Sequence, residues 1–208
     1  MMVGGRQTAC RFWVMDSPRV SLRVAPGRRS LRLGGFDYAR PGTYFVTVRA
    51  RDGSPTAFGR ASANGVQLNA AGRIAEACWL RIPEHFPGVQ LDAFVIMPDH
   101  VHGILRIRRG QDTRSVGAQH AAPLHFPVRP TIASRAHVVP ASLGAIVRSF
   151  KSAVSKRVNE MRGAPGAPVW QRNYFDRIIR DKHELHRARC YIRANPLRLA
   201  ALVKAAVL

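Results

Sequence analysis

In "FVIMPDHVHGILRI", Phe94 to Ile107, two histidines stand one residue apart inside an otherwise apolar run. Side chains alternate along a strand, so His100 and His102 would share one face about 7 Å apart, close enough for both imidazoles to grip one divalent cation. Alone the pair is a weak signal, because half-exposed strand histidines with no shared ligand are commoner. A second group lies near the far end of the chain. In "CYIRANP", Tyr191 and Asn195 are four residues apart, which on a helix puts a phenol and an amide on one face. Two imidazoles and an amide oxygen would suit a metal ion, with a phenolic hydroxyl beside it. The plainer alternative is a core tyrosine and an asparagine that ends its helix before Pro196.

Secondary structure has to bring these groups together. "TYFVTVRA", Thr43 to Ala50, follows the turn-former "RPG" and is rich in β-branched and aromatic residues, as a first strand requires. Val66 to Pro83 carries apolar residues at helical spacing and ends at a proline. Leu91 to Met97 and His100 to Ile107 read as two strands joined through "PD". Arg109 to Pro140 contains Pro123, Pro127, Pro130 and Pro140 and reads as a long loop.

Regular structure resumes after it. Leu143, Ile146, Val147, Phe150, Val154, Val158 and Met161 recur at steps of three and four, one stripe of a helix that Ser142 is placed to cap. Asn173 to Arg180 suits a short strand, and Asp181 to Asn195 a last helix stopped by Pro196. The order β, α, β, β, α, β, α predicts an α+β fold, a ferredoxin-like (split βαβ) antiparallel sheet with an added C-terminal helix. Val101, Gly103, Leu105 and Ile107 should then face the two crossover helices. His100, His102, Ile104 and Arg106 should look out from the other face, which the appended helix must cover.

Charge narrows the partner. The 208 residues include 33 Lys and Arg against 12 Asp and Glu, a net charge of +21, which points to a polyanion such as nucleic acid. From Ala141 onward the balance is 14 to 4. Arg148, Lys151 and Arg162 fall along the edge of the apolar stripe and are the candidate DNA-binding residues. No apolar run approaches the roughly 18 residues that span a bilayer, and "TACRFWVM" is too short for a signal peptide, so no membrane partner and a cytoplasmic location are expected. Cys10, Cys78 and Cys190 are far apart and form no CxxC pair, which argues against a disulfide framework or a thiolate zinc site. The expected division is a basic, flexible arm over 1–30, one domain over 31–200 holding the 109–140 loop, and a tail over 201–208.

Several blocks together carry a family resemblance. "VIMPDHVHGIL", "SLGAIVRSFKSAVSKRVNE", "VWQRNYFDRIIRD" and "YIRANPLRLA", with "RRSLRLGGFDYARPGTYFVTV" before them, resemble the successive blocks of the REP-associated tyrosine transposases, single-tyrosine members of the HUH nucleases. The match runs from about Arg28 to Ala200. The first 27 residues have no counterpart in it, and the proline-rich loop is longer than the resemblance would suggest. It implies that His100 and His102 are the metal-binding pair, Tyr191 the nucleophile and Asn195 the third ligand. It also implies palindromic or hairpin DNA as substrate, with a 5′-phosphotyrosine formed and a 3′ hydroxyl released.

The residue types fit that chemistry. A phosphodiester repels nucleophiles through its own negative oxygens, so Mg²⁺ or Mn²⁺ is expected as cofactor, and a deprotonated tyrosine can then attack phosphorus. Tyr38, Tyr44 and Tyr174 are weaker nucleophile candidates, each lacking a polar partner four residues on. Trp79 and Trp170 could stack bases, although core packing is the simpler expectation for both. Single-stranded or hairpin DNA is the expected partner, bound by a monomer or homodimer. The competing reading is a non-catalytic ferredoxin-like nucleic-acid-binding protein. Modules of that kind place aromatics on their central strands, where this chain has histidines.

Overall fold

The computed structural model describes residues 38–51, 54–108 and 141–205. The expected basic arm, the start of the domain near Leu31 and the 109–140 loop lie outside the described residues. Four antiparallel strands form the main sheet: β1 (Gly42–Arg49), β4 (Val89–Ile96), β5 (His100–Ile107) and β6 (Phe175–Ile179), in the spatial order β4-β5-β1-β6. Two helices, α1 (Ala70–Leu80) and α3 (Leu143–Arg162), make the crossovers, and α4 (Lys182–Ala205) follows the last strand. This is the expected split βαβ, ferredoxin-like arrangement with its added helix.

Each face of the sheet buries its own core. On one side Tyr44, Val46 and Val48 of β1 and Val101 and Leu105 of β5 pack against Ala75 and Trp79 of α1 and Ile146, Phe150 and Val154 of α3. On the other, Phe45, Ile104 and Ile179 pack against Ala188 and Ile192 of α4. Gly103 shows why β5 is so specific in sequence: a Cβ there would lie 2.1 Å from Cζ2 of the fully buried Trp79 indole. Trp79 and Trp170 are both buried, as core packing requires.

Sequence expectation and structure part at two places. Val66 to Leu68, expected as the start of a helix, instead form β3 (Gly65–Leu68), which pairs with β2 (Gly59–Ser62) in a hairpin. Asn64-Gly65 is the turn signal, with Gly65 at φ +124°, a conformation that glycine adopts without a Cβ penalty. Helix α1 then begins after Asn69, whose side chain accepts a hydrogen bond from the Gly72 N–H. A one-turn helix α2 (Ile82–His85) carries Pro83 in its first turn, so that proline does not end the helical region.

The last helix also departs from expectation. It does not stop at Pro196 but continues to Ala205, taking in most of the expected 201–208 tail. Pro196 cannot donate to the carbonyl four residues back. Its half of α4 packs beside the β2–β3 hairpin, with Pro196 against Gly65, and that tertiary contact keeps the chain helical past a residue that ends an isolated helix.

Candidate active site

Register assembles the site. Thr47 of β1 lies opposite His102 of β5, and Arg49 opposite His100, so all four side chains belong to the sheet face that α4 covers. Thr47 Oγ1 and His102 Nδ1 share a hydrogen bond of 2.8 Å. His100 Nδ1 donates to the Asp99 carboxylate at 2.6 Å, and Arg49 holds the same carboxylate at 3.1 Å. Both rings are therefore held at Nδ1, and both turn Nε2 toward one point. The two Nε2 atoms lie 3.0 Å apart.

That spacing fits a metal pair. At that spacing both Nε2 atoms could meet a single cation. The hydrogen bonds at Nδ1 leave Nε2 of each ring as the atom that would face a cation, and an orienting partner on the far nitrogen is the usual support for a histidine ligand. His102 is 5% exposed, and burial first, then the neighbouring His100, pushes its imidazole well below the usual histidine range. It is held neutral, as ligation requires. Burial would raise the Asp99 carboxyl, but the hydrogen bond and charge of His100, together with Arg49, outweigh this and hold it below the usual carboxylate range. Among the described residues no group of three or more His, Cys, Asp or Glu side chains could hold a metal ion, and a cation here would have the two imidazoles as its protein ligands from that set.

Tyr191 completes the cluster from α4. Its ring centroid lies 5.3 Å from that of His102 and 6.0 Å from that of Phe45, edge-on to both. Asn195 follows one turn later, its Nδ2 donating to the Tyr191 carbonyl at 3.0 Å, which leaves Oδ1 as the amide atom able to meet a cation. The helix is fixed in register by two devices. At its start Asp181 Oδ1 accepts from the Glu184 N–H, while the Glu184 carboxylate accepts from the Arg180 N–H and from Arg177. In its middle Arg189 forks onto Asp92 of β4.

The expected DNA-binding residues are not gathered here. Arg148, Lys151 and Arg162 belong to α3, on the opposite face of the sheet. Arg148 and Lys151 line a groove of about 580 Å³ between α3 and residues 168–174. Lys151 is not an open phosphate contact: its ammonium donates to the carbonyls of Gln171, Arg172 and Asn173, and burial pushes its pKa down. Tyr38 and Tyr44 pack in the α1/α3 core and Tyr174 lines the groove, so the weaker nucleophile candidates are on the wrong side of the sheet. Thr47, Asp99, Arg49, Asp92 and Arg189 are site-building residues that the sequence reading passed over. Only Asp99 had a local signal, its place directly before the HxH.

No family model matches the chain. It is 35% identical over 175 residues to an uncharacterized protein of Haemophilus influenzae, covering 82% of this chain and 88% of that one. Among solved structures it is similar to a REP-associated tyrosine transposase bound to a REP hairpin, with 18% identity, a TM-score of 0.49 and coverage of 82% of this chain and 74% of that chain. A second, a candidate transposase of Deinococcus radiodurans, gives 16% identity, a TM-score of 0.35 and coverage of 80% and 98%. Among the described residues no helix is long and apolar enough to cross a membrane. On the sequence match the chain belongs to one family with the Haemophilus influenzae protein.

Proposed function

We propose that the protein is a DNA endonuclease and strand transferase acting on single-stranded, hairpin-bearing DNA through a covalent tyrosine intermediate. The observation that carries this reading is the convergence of His100 and His102 Nε2 at 3.0 Å with the Tyr191 ring 5.3 Å from His102. His100, His102 and the Asn195 amide oxygen would hold Mg²⁺ or Mn²⁺. When bound, the cation offsets the negative charge of the scissile phosphate and lowers the pKa of a phenol beside it.

The chain's own residues do the rest. Asp99 and Thr47 keep both imidazoles aimed at one point, and the Asp92–Arg189 fork keeps α4 in register over them. Tyr191 loses its phenolic proton, and its oxygen attacks phosphorus. One Oη–P bond forms, the P–O3′ bond breaks, and the departing 3′ oxygen takes up a proton, leaving a 5′-phosphotyrosine. Attack by another 3′ hydroxyl reverses the step and joins the strands without an external energy source. Arg148 and Arg162 would bind phosphates of the flanking DNA, with Lys151 shaping the groove wall.

The test is an end-labelled hairpin oligonucleotide with single-stranded flanks, incubated with Mg²⁺ or Mn²⁺ and resolved on a denaturing gel. Wild type should give a protein–DNA adduct and Tyr191→Phe none, while DNA affinity changes little. An adduct that survives Tyr191→Phe would assign the nucleophile elsewhere. No adduct from wild type across palindromic substrates taken from its own flanking DNA would favour a non-catalytic DNA-binding protein.

A further inference from the structure

Phe175 is exposed where a buried aromatic would be expected. It opens β6, an edge strand of the sheet, and lies opposite Thr47 in register, so it shares the face that carries His102. It is 38% exposed, and of the exposed large hydrophobic residues among those described (Leu80, Met161, Leu197 and Leu202 are the others) it is the aromatic one. Its neighbours on the same face, Phe45 and Ile179, are buried under α4. At 38% exposed, the ring is not fully covered by α4.

Two cations flank it. Arg177, two residues along β6 on the same face, has a side chain 43% exposed, and Arg49, two residues along β1 from Thr47, has one 59% exposed. Each is anchored by a carboxylate, Glu184 and Asp99 respectively, which fixes where its charge stands. An exposed ring between two guanidinium groups, beside a metal-type histidine pair, matches what single-stranded nucleic acid presents: a flat base flanked by phosphates. It does not match duplex DNA, whose bases are stacked on one another.

We propose that Phe175 is the stacking platform for the unpaired nucleobase next to the scissile phosphate, with the exposed Arg49 guanidinium on an adjoining phosphate. This rests on the reading of the site as a DNA-cleaving centre, and names the part of the substrate that the site recognises. Stacking on one face of a ring is tolerant of base identity, so the platform selects an unpaired base over a paired one and not one base over another.

The experiment uses the full chain in a Tyr191→Phe background and a hairpin oligonucleotide carrying 2-aminopurine at successive positions of its single-stranded flank. One position should show quenched fluorescence on binding, and Phe175→Ala should abolish that quench and weaken binding about tenfold, while Phe175→Trp retains both. An abasic site at the quenched position should cost the parent about the same tenfold and cost Phe175→Ala nothing. Equal affinity and an unchanged quench pattern in Phe175→Ala would overturn the proposal. So would a loss of affinity that is the same for every abasic position, which would mean only that the edge strand had been disturbed. Because the readout is binding in a background with the tyrosine hydroxyl removed, its failure is separate from absence of the wild-type adduct.

Discussion

Arg189 of α4 grips Asp92 of β4 at two points, Nε to Oδ1 and Nη2 to Oδ2, both at 2.7 Å. The two residues are 97 apart in sequence, and Asp92 sits in the register shift between Leu91 and Phe94, where the strand re-aims its side chains. A planar fork on a carboxylate fixes distance and rotation together. It therefore sets where Tyr191, two residues further along α4, stands over His102.

A double-mutant cycle of Asp92→Ala and Arg189→Ala should show a coupling of about 1 kcal/mol near pH 7, modest because the arginine is partly open to solvent. The Arg189 hydrogen bond, against the opposing effect of burial and with help from the Ala93 N–H, holds the Asp92 carboxyl below its usual value. The folded pKa is thus below the unfolded value of about 3.9, so the contribution is complete above about pH 4 and is lost as pH falls through the folded value. Chemical denaturation of the four proteins at pH 7 and pH 3 checks this; a coupling equal at both would refute it. Arg189→Ala should lower adduct yield more than it lowers DNA affinity.

Removing the carboxylate behind His100 should weaken metal binding without touching a ligand. Asp99→Ala is expected to reduce Mn²⁺ affinity about 10–100-fold by calorimetry. His100→Ala or His102→Ala should abolish it. Arg49→Ala, which removes only an exposed ion pair to Asp99, should change it little.

Lys151 and Arg148 are neighbours on α3 with different duties, and substitution should separate them. Lys151→Met leaves three carbonyls without their donor and is expected to destabilise the fold by about 1–3 kcal/mol. Arg148→Glu should leave the melting temperature within about a degree, as for an exposed surface change, and should weaken DNA binding with a shallower salt dependence. An unchanged salt slope would place the DNA away from the groove.

Gly103→Ala puts a methyl group into the Trp79 indole, which is 0% exposed and cannot move into solvent. The expected loss is about 3 kcal/mol or more, seen as a large fall in melting temperature. Trp79→Leu combined with Gly103→Ala should recover part of it, because the leucine removes the obstructing ring.

The local periods of the chain already determined a good deal. Alternation in His100–Ile107 put both histidines on one face, and the stripe from Leu143 to Met161 with Ser142 before it marked α3 and its cap, because such patterns need only near neighbours in sequence; Met161 at the end of the stripe is exposed. The Asn64-Gly65 turn and the Asn69 cap are equally local signals, and they outweigh the apolar run that overlaps them. Other features are not local at all. Thr47 meets His102 across 55 residues, and Asp92 meets Arg189 across 97, through strand register and helix docking that depend on how whole faces pack. Packing likewise carried α4 through Pro196, where propensity alone ends a helix. It also closed the Lys151 ammonium onto the carbonyls of Gln171, Arg172 and Asn173, since spacing along α3 says which residues share a face but not which distant segment will pack against it.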